Sequence, residues 1–120
     1  MATNTRICGS EQVGEGGTGV RFDLNLDDKP RAAFVIRFDG VVHAYVNSCP
    51  HMGTELDWQP GQFFDESGLY LICATHGAVF APESGYCGGG PCRGQTLLRL
   101  PVVELGSGIF LSEGFNLYVE

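Results

Sequence analysis

Two short segments constrain this chain of 120 residues more than anything else in it. "CPH" at 49–51 and "CATHG" at 73–77 each place a cysteine and a histidine within three positions, and a glycine follows each pair, Gly53 and Gly77. Pro50 and Gly53 are turn chemistry, so the first pair rides on a loop. Between His51 and Cys73 lie 21 residues, enough for the chain to make an excursion and come back. A fold that uses both segments must bring two loops to one point. Cys49, His51, Cys73 and His76 could then ligate a single metal centre.

Two centres accept that donor set. Zinc takes cysteine and histidine together in a tetrahedron, but structural zinc sites usually space paired ligands by two to four residues, and Cys-x-His is unusual among them. A [2Fe–2S] cluster with two thiolates on one iron and two imidazoles on the other is the alternative. Such a cluster needs backbone close to its bridging sulfides, which a glycine beside each pair permits.

The framework around these loops reads as β. "RFDLNL" (21–26) alternates, with Phe22, Leu24 and Leu26 on one face. "RAAFVIRF" (31–38) and "VVHAYV" (41–46) flank Asp39-Gly40, a two-residue hairpin signal. "LYLI" (69–72) leads into Cys73, and a brief strand is expected near 78–81. "QTLLRLPVVEL" (95–105) is one strand or two broken at Pro101, and "GIFLS" (108–112) with "FNLYV" (115–119) reads as a hairpin around Glu113-Gly114. No segment carries a helical period over a dozen residues. The 18 glycines, about twice the usual share, suit a chain of many turns and close backbone approaches.

Charge narrows the function classes. Seven basic residues against fourteen acidic ones leave a formal −7, which argues against nucleic acid and fits docking on a basic partner surface. No apolar run approaches the roughly 20 residues of a membrane span. The start, "MATNTRICGSEQ", lacks the apolar core of a secretory signal, so a cytoplasmic, reducing location is expected. In that setting five cysteines are ligands or thiols before they are disulfides.

With "GGGPCRG" at 88–94 added, the chain resembles the Rieske iron–sulfur proteins, closest to the soluble ferredoxins and the domains of oxygenase systems. The resemblance implies an all-β fold, an antiparallel β-sandwich with an inserted cluster-binding subdomain. It implies a single domain over 1–120, with cluster-binding loops at about 47–58 and 73–94. Cys49 and Cys73 would hold the inner iron, His51 and His76 the outer one, and Gly90-Pro91 would belong to a covering loop. The implied function is one-electron transfer between redox partner proteins, a reductase and an oxygenase or reductase large subunit. A component of such a larger system and a zinc-stabilised binding module are the other readings, and stand-alone catalysis is not expected.

Departures from the respiratory branch matter. That branch carries a disulfide where this chain has Thr54 and Thr75, and hydroxyl donors where it has Ala78 and Phe80. Hydrogen bonds to sulfur favour the reduced state, so their loss points to a low potential. Elsewhere, His43 is expected on a solvent-facing strand position and Cys8 as a small buried hydrophobe. Cys87 and Cys92 are expected as two thiols in a glycine-rich loop, and Trp58 with Phe63 and Phe64 as the insert's own small core.

Overall fold

The structure is a computed structural model that describes residues 5–26, 29–48, 55–57, 59–73, 77–90, 94–112 and 116–117. Eleven strands are found among them: β1 Thr5–Gly9, β2 Val20–Leu26, β3 Lys29–Phe38, β4 Val41–Val46, β5 Leu71–Ile72, β6 Val79–Phe80, β7 Cys87–Gly89, β8 Arg99–Leu100, β9 Val102–Leu105, β10 Gly108–Leu111 and β11 Asn116–Leu117. One 3-10 turn, Ser10–Gln12, is the only helical element among the described residues. No described helix is long and apolar enough to cross a membrane.

Three antiparallel sheets form. The central one runs β11-β2-β3-β4-β8, a second runs β1-β10-β9, and a small third runs β5-β6-β7. The β3–β4 hairpin is set by its turn: Asp39 and Gly40 both take positive φ, 54° and 78°. A two-residue turn of that kind matches the twist of the flanking strands. Glu15 fastens it, its carboxylate accepting from Asp39 N at 2.6 Å and Gly40 N at 2.7 Å.

The central sheet is covered on both faces. On one, Ala33, Val35, Val42, Ala44 and Val46 pack with Cys8, Leu24, Ile109 and Leu111, joining the β1-β10-β9 sheet to it. On the other, Phe34, Ile36 and Tyr45 pack with Leu56, Phe63, Leu71, Cys73, Ala78, Phe80, Cys87 and Leu97. Strands buried on both faces lose the in–out alternation, which is why β3 reads as the unbroken apolar run "AAFVI".

That double burial corrects the expectation for His43. It shares a strand face with Tyr45 and is only 7% exposed. Nor do Phe63 and Phe64 form a core of the insert alone. Phe63 stacks on Phe34 of β3 at 3.9 Å between ring centres, and Phe64 lies against Phe38. Cys8 is buried as expected, and burial pushes its thiol pKa up.

Two strand assignments shift, and the open reading of a third segment is decided. "LYLI" contributes only Leu71 and Ile72 to β5, because Asp65 N bonds Tyr70 O and folds 65–70 into a turn that leaves Leu69 and Tyr70 exposed. "QTLLRLPVVEL" is two strands in two sheets, β8 beside β4 and β9 beside β10, with Pro101 at the break. β10 and β11 are not hairpin partners. β10 lies between β1 and β9, whereas β11 pairs with β2 at the far edge of the central sheet.

Candidate metal centre

Of the four expected ligands, Cys73 is described; Cys49, His51 and His76 lie outside the described residues, as do Thr54, Trp58, Thr75, Pro91 and Cys92. Cys73 follows β5 directly and is fully buried. Its N–H donates to Ala78 O at 2.9 Å, and its carbonyl accepts from Gly77 N at 2.8 Å. Cys73 and Gly77, on either side of residues 74–76, are thus tied to each other, and Cys73 to Ala78 as well. Gly77 takes φ +73°, a conformation that side chains rarely adopt, and a Cβ built there would meet nothing within 4 Å.

A third segment closes in on the same neck. A Cβ on Gly90 would lie 2.8 Å from Ala78 Cα and 3.2 Å from Gly77 O, so backbone meets backbone and only glycine fits. Gly90 also has φ +90°. Next to it, Cys87 is buried and its Sγ donates to Gly89 O at 3.1 Å.

The described residues that flank the first segment reach the same region. Leu56, just past the first loop, shares one buried cluster with Cys73, Ala78 and Cys87. Asn47, two positions before Cys49, is 3% exposed and engages both ends of its side-chain amide: Oδ1 accepts from Leu56 N at 2.8 Å, and Nδ2 donates to Asp57 Oδ1 at 2.9 Å. Asp57 in turn accepts from Gly61 N at 2.9 Å. Sequence reasoning missed this pair, because Asn and Asp in a loop read as ordinary turn residues.

These observations fit a [2Fe–2S] cluster. Three segments that carry "CPH", "CATHG" and "GGGPCRG" have their described parts in one place, with glycine where backbones approach. Cys73 is buried in one cluster with Ala78 and Phe80, which are fully buried too and carry no hydroxyl. Tyr45 anchors the region to the central sheet, its hydroxyl donating to Pro82 O at 2.7 Å. Burial pushes its phenol up to about 12, so it stays a donor.

Comparisons with known proteins agree with this geometry. The Sphingomonas yanoikuyae B1 ferredoxin is similar at 22% identity and a TM-score of 0.72, covering 92% of this chain and 99% of that one. The ferredoxin of carbazole 1,9a-dioxygenase from Nocardioides aromaticivorans IC177 is 25% identical, with a TM-score of 0.68 and coverage of 91% and 96%. The terminal oxygenase of carbazole 1,9a-dioxygenase from Novosphingobium sp. KA1 is also 25% identical, with a TM-score of 0.71; 92% of this chain matches 29% of it. In oxygenase–ferredoxin complexes of carbazole 1,9a-dioxygenase, the chain likewise spans only 28% of the chains it matches. No curated protein matches the chain at a significant level. The model of the Rieske [2Fe–2S] domain matches residues 3–104. With buried Cys73, the close glycine approach beside it and that match over most of its length, the chain belongs to the Rieske [2Fe–2S] domain family, whose domain carries one such cluster.

Proposed function

We propose that the chain is a one-electron carrier of the ferredoxin type, acting as a single domain, 1–120, in the cytoplasm and serving an oxygenase system. Cys49 and Cys73 hold one iron of the cluster, and His51 and His76 the other. When bound, the cluster supplies one-electron chemistry in a potential window of roughly −150 to +300 mV. The protein's own part is to hold the thiol loop dry, to keep ligand geometry constant in both redox states and to present an acidic surface to its partners. Four protein ligands leave no open position for a substrate, so chemistry belongs to the partner.

The observation that carries this reading is the extent of the match. The chain aligns with 99% and 96% of two ferredoxins, at TM-scores of 0.72 and 0.68. By likeness to the systems those relatives are named for, the donor is a reductase and the acceptor a terminal oxygenase. With a formal charge of −7, basic docking faces are expected on both.

Optical and paramagnetic-resonance spectra of the purified protein, oxidised and reduced, test the cofactor and ligands. Visible absorption that bleaches on reduction, with the low average g value of mixed nitrogen and sulfur ligation, is the expected result. A colourless protein holding only zinc would overturn it. Stopped-flow reduction by a ferredoxin reductase, followed by reoxidation with a terminal oxygenase, tests the carrier role. A protein isolated only as part of a stable larger complex would favour the subunit reading instead.

A further inference from the structure

We propose that Asn47 and Asp57 are positioning residues: they form a hydrogen-bonded clasp across the base of the first cluster-binding loop, and retention of the cluster depends on it. The inference deepens the functional reading above and rests on it. Asn47 and Leu56 bracket the segment that contains Cys49 and His51, and the Asn47 side chain bonds Leu56 N directly at 2.8 Å. Its backbone is held independently, with Asn47 N donating to Ala32 O of β3 at 2.8 Å. One residue, Asn47, thus ties Leu56 to the central sheet.

Asp57 completes the clasp. Its side chain has no exposed surface and lies 3.7 Å from Arg21 Nε, while a second Arg21 nitrogen bonds Glu55 at 2.8 Å. Burying an amide and a carboxylate is costly unless each is bonded. Here the bonds run to each other and to Leu56 N and Gly61 N, amides that follow the loop. A loop drawn closed at its base loses fewer conformations when its ligands bind metal, which lowers the entropic cost of keeping them on it.

The donor and acceptor pattern yields a specific test. Asn47 offers an acceptor to Leu56 N and a donor to Asp57, whereas Asp57 offers acceptors only. Asn47→Asp sets carboxylate against carboxylate. Asp57→Asn leaves one oxygen where two acceptors were used. Exchanging both, N47D with D57N, restores all three bonds with the polarity between the side chains reversed. The readouts are amide hydrogen exchange at Leu56 and Gly61, the half-life of the visible chromophore under an iron chelator, and the paramagnetic-resonance line shape.

Each single variant is expected to shorten that half-life about tenfold, as loss of one buried hydrogen bond implies. The double variant is expected to return to the wild-type half-life, line shape and amide protection. Single variants that keep the wild-type half-life would overturn the proposal. So would a double variant as labile as the singles while β2–β4 keep their amide protection. A single variant that fails to fold leaves the decision to the double. Wild-type protein lacking iron and sulfide would defeat the carrier reading itself, a result distinct from loaded wild type with indifferent variants.

Discussion

Ala78 and Phe80 decide, residue by residue, what the cluster can be offered. Both are fully buried beside the thiol loop and neither carries a hydroxyl. A midpoint at the low end of the Rieske window, about −150 mV, is therefore expected. Ala78→Ser should raise it, because a net hydrogen bond of about 1 kcal/mol to the reduced cluster corresponds to roughly 40 mV for a one-electron couple. Redox titration of both proteins checks the shift, and a wild-type midpoint well above 0 mV would refute the argument. His43 governs a different property. Burial, then Arg99, hold its imidazole below the ordinary 6.5, with Glu83 opposing, and its Nδ1 has no hydrogen-bond partner among the described residues. The folded state prefers the neutral ring, so the unfolded chain takes up the proton first. His43 thus favours folding above pH 6.5 and loses that contribution as pH falls below it. In urea denaturation, His43→Leu should flatten the stability profile between pH 7.5 and about 5.5 relative to wild type.

At the scale of elements, Arg37 is the knot between two sheets. From β3 it donates to Glu104 of β9 at 2.9 and 2.6 Å, and to Val13 O at 2.9 Å. The pair is mostly covered, with side chains 16% and 27% exposed. Hydrogen bonding from Arg37 holds the Glu104 carboxyl at about 2, well below its ordinary 4.5. A depressed carboxylate pKa stabilises the fold above pH 4.5, and that contribution is lost as pH falls through about 2. Glu104→Gln should cost about 1 kcal/mol at neutral pH and remove that part of the acid dependence. Urea midpoints at pH 7 and across the acid range, for both proteins, read this directly.

Across the whole molecule, two cores of different composition predict two levels of stability. The core between the larger sheets is built from strand residues apart from Val13. The other combines central-sheet aromatics with Leu56, Cys73, Ala78 and Cys87 from the cluster lobe. Removing the cluster with acid or chelator should leave slow amide exchange in β2–β4 while exchange at Cys73 N and Gly77 N rises. Uniform loss of protection over both regions would show instead that the sandwich does not stand without its metal. The acidic surface acts at this scale too: reduction by a basic partner should slow steeply as ionic strength rises.

Some of this was legible in the residues alone. "CPH", "CATHG" and "GGGPCRG" carry the resemblance to the family because the pattern is local: in each of the first two segments a thiol, an imidazole and a glycine lie within a few positions of one another. The β3–β4 hairpin is equally local, its turn specified by Asp39 and Gly40. What lay beyond the sequence depends on which faces meet. That His43 is buried, that Phe63 belongs to a core shared with Phe34, and that β11 borders β2 rather than β10 follow only once a second layer covers each side of the central sheet. The clasp of Asn47 and Asp57 belongs with these. Its polar side chains read as loop chemistry until the chain returns after the first loop, and burial makes each the other's necessary partner.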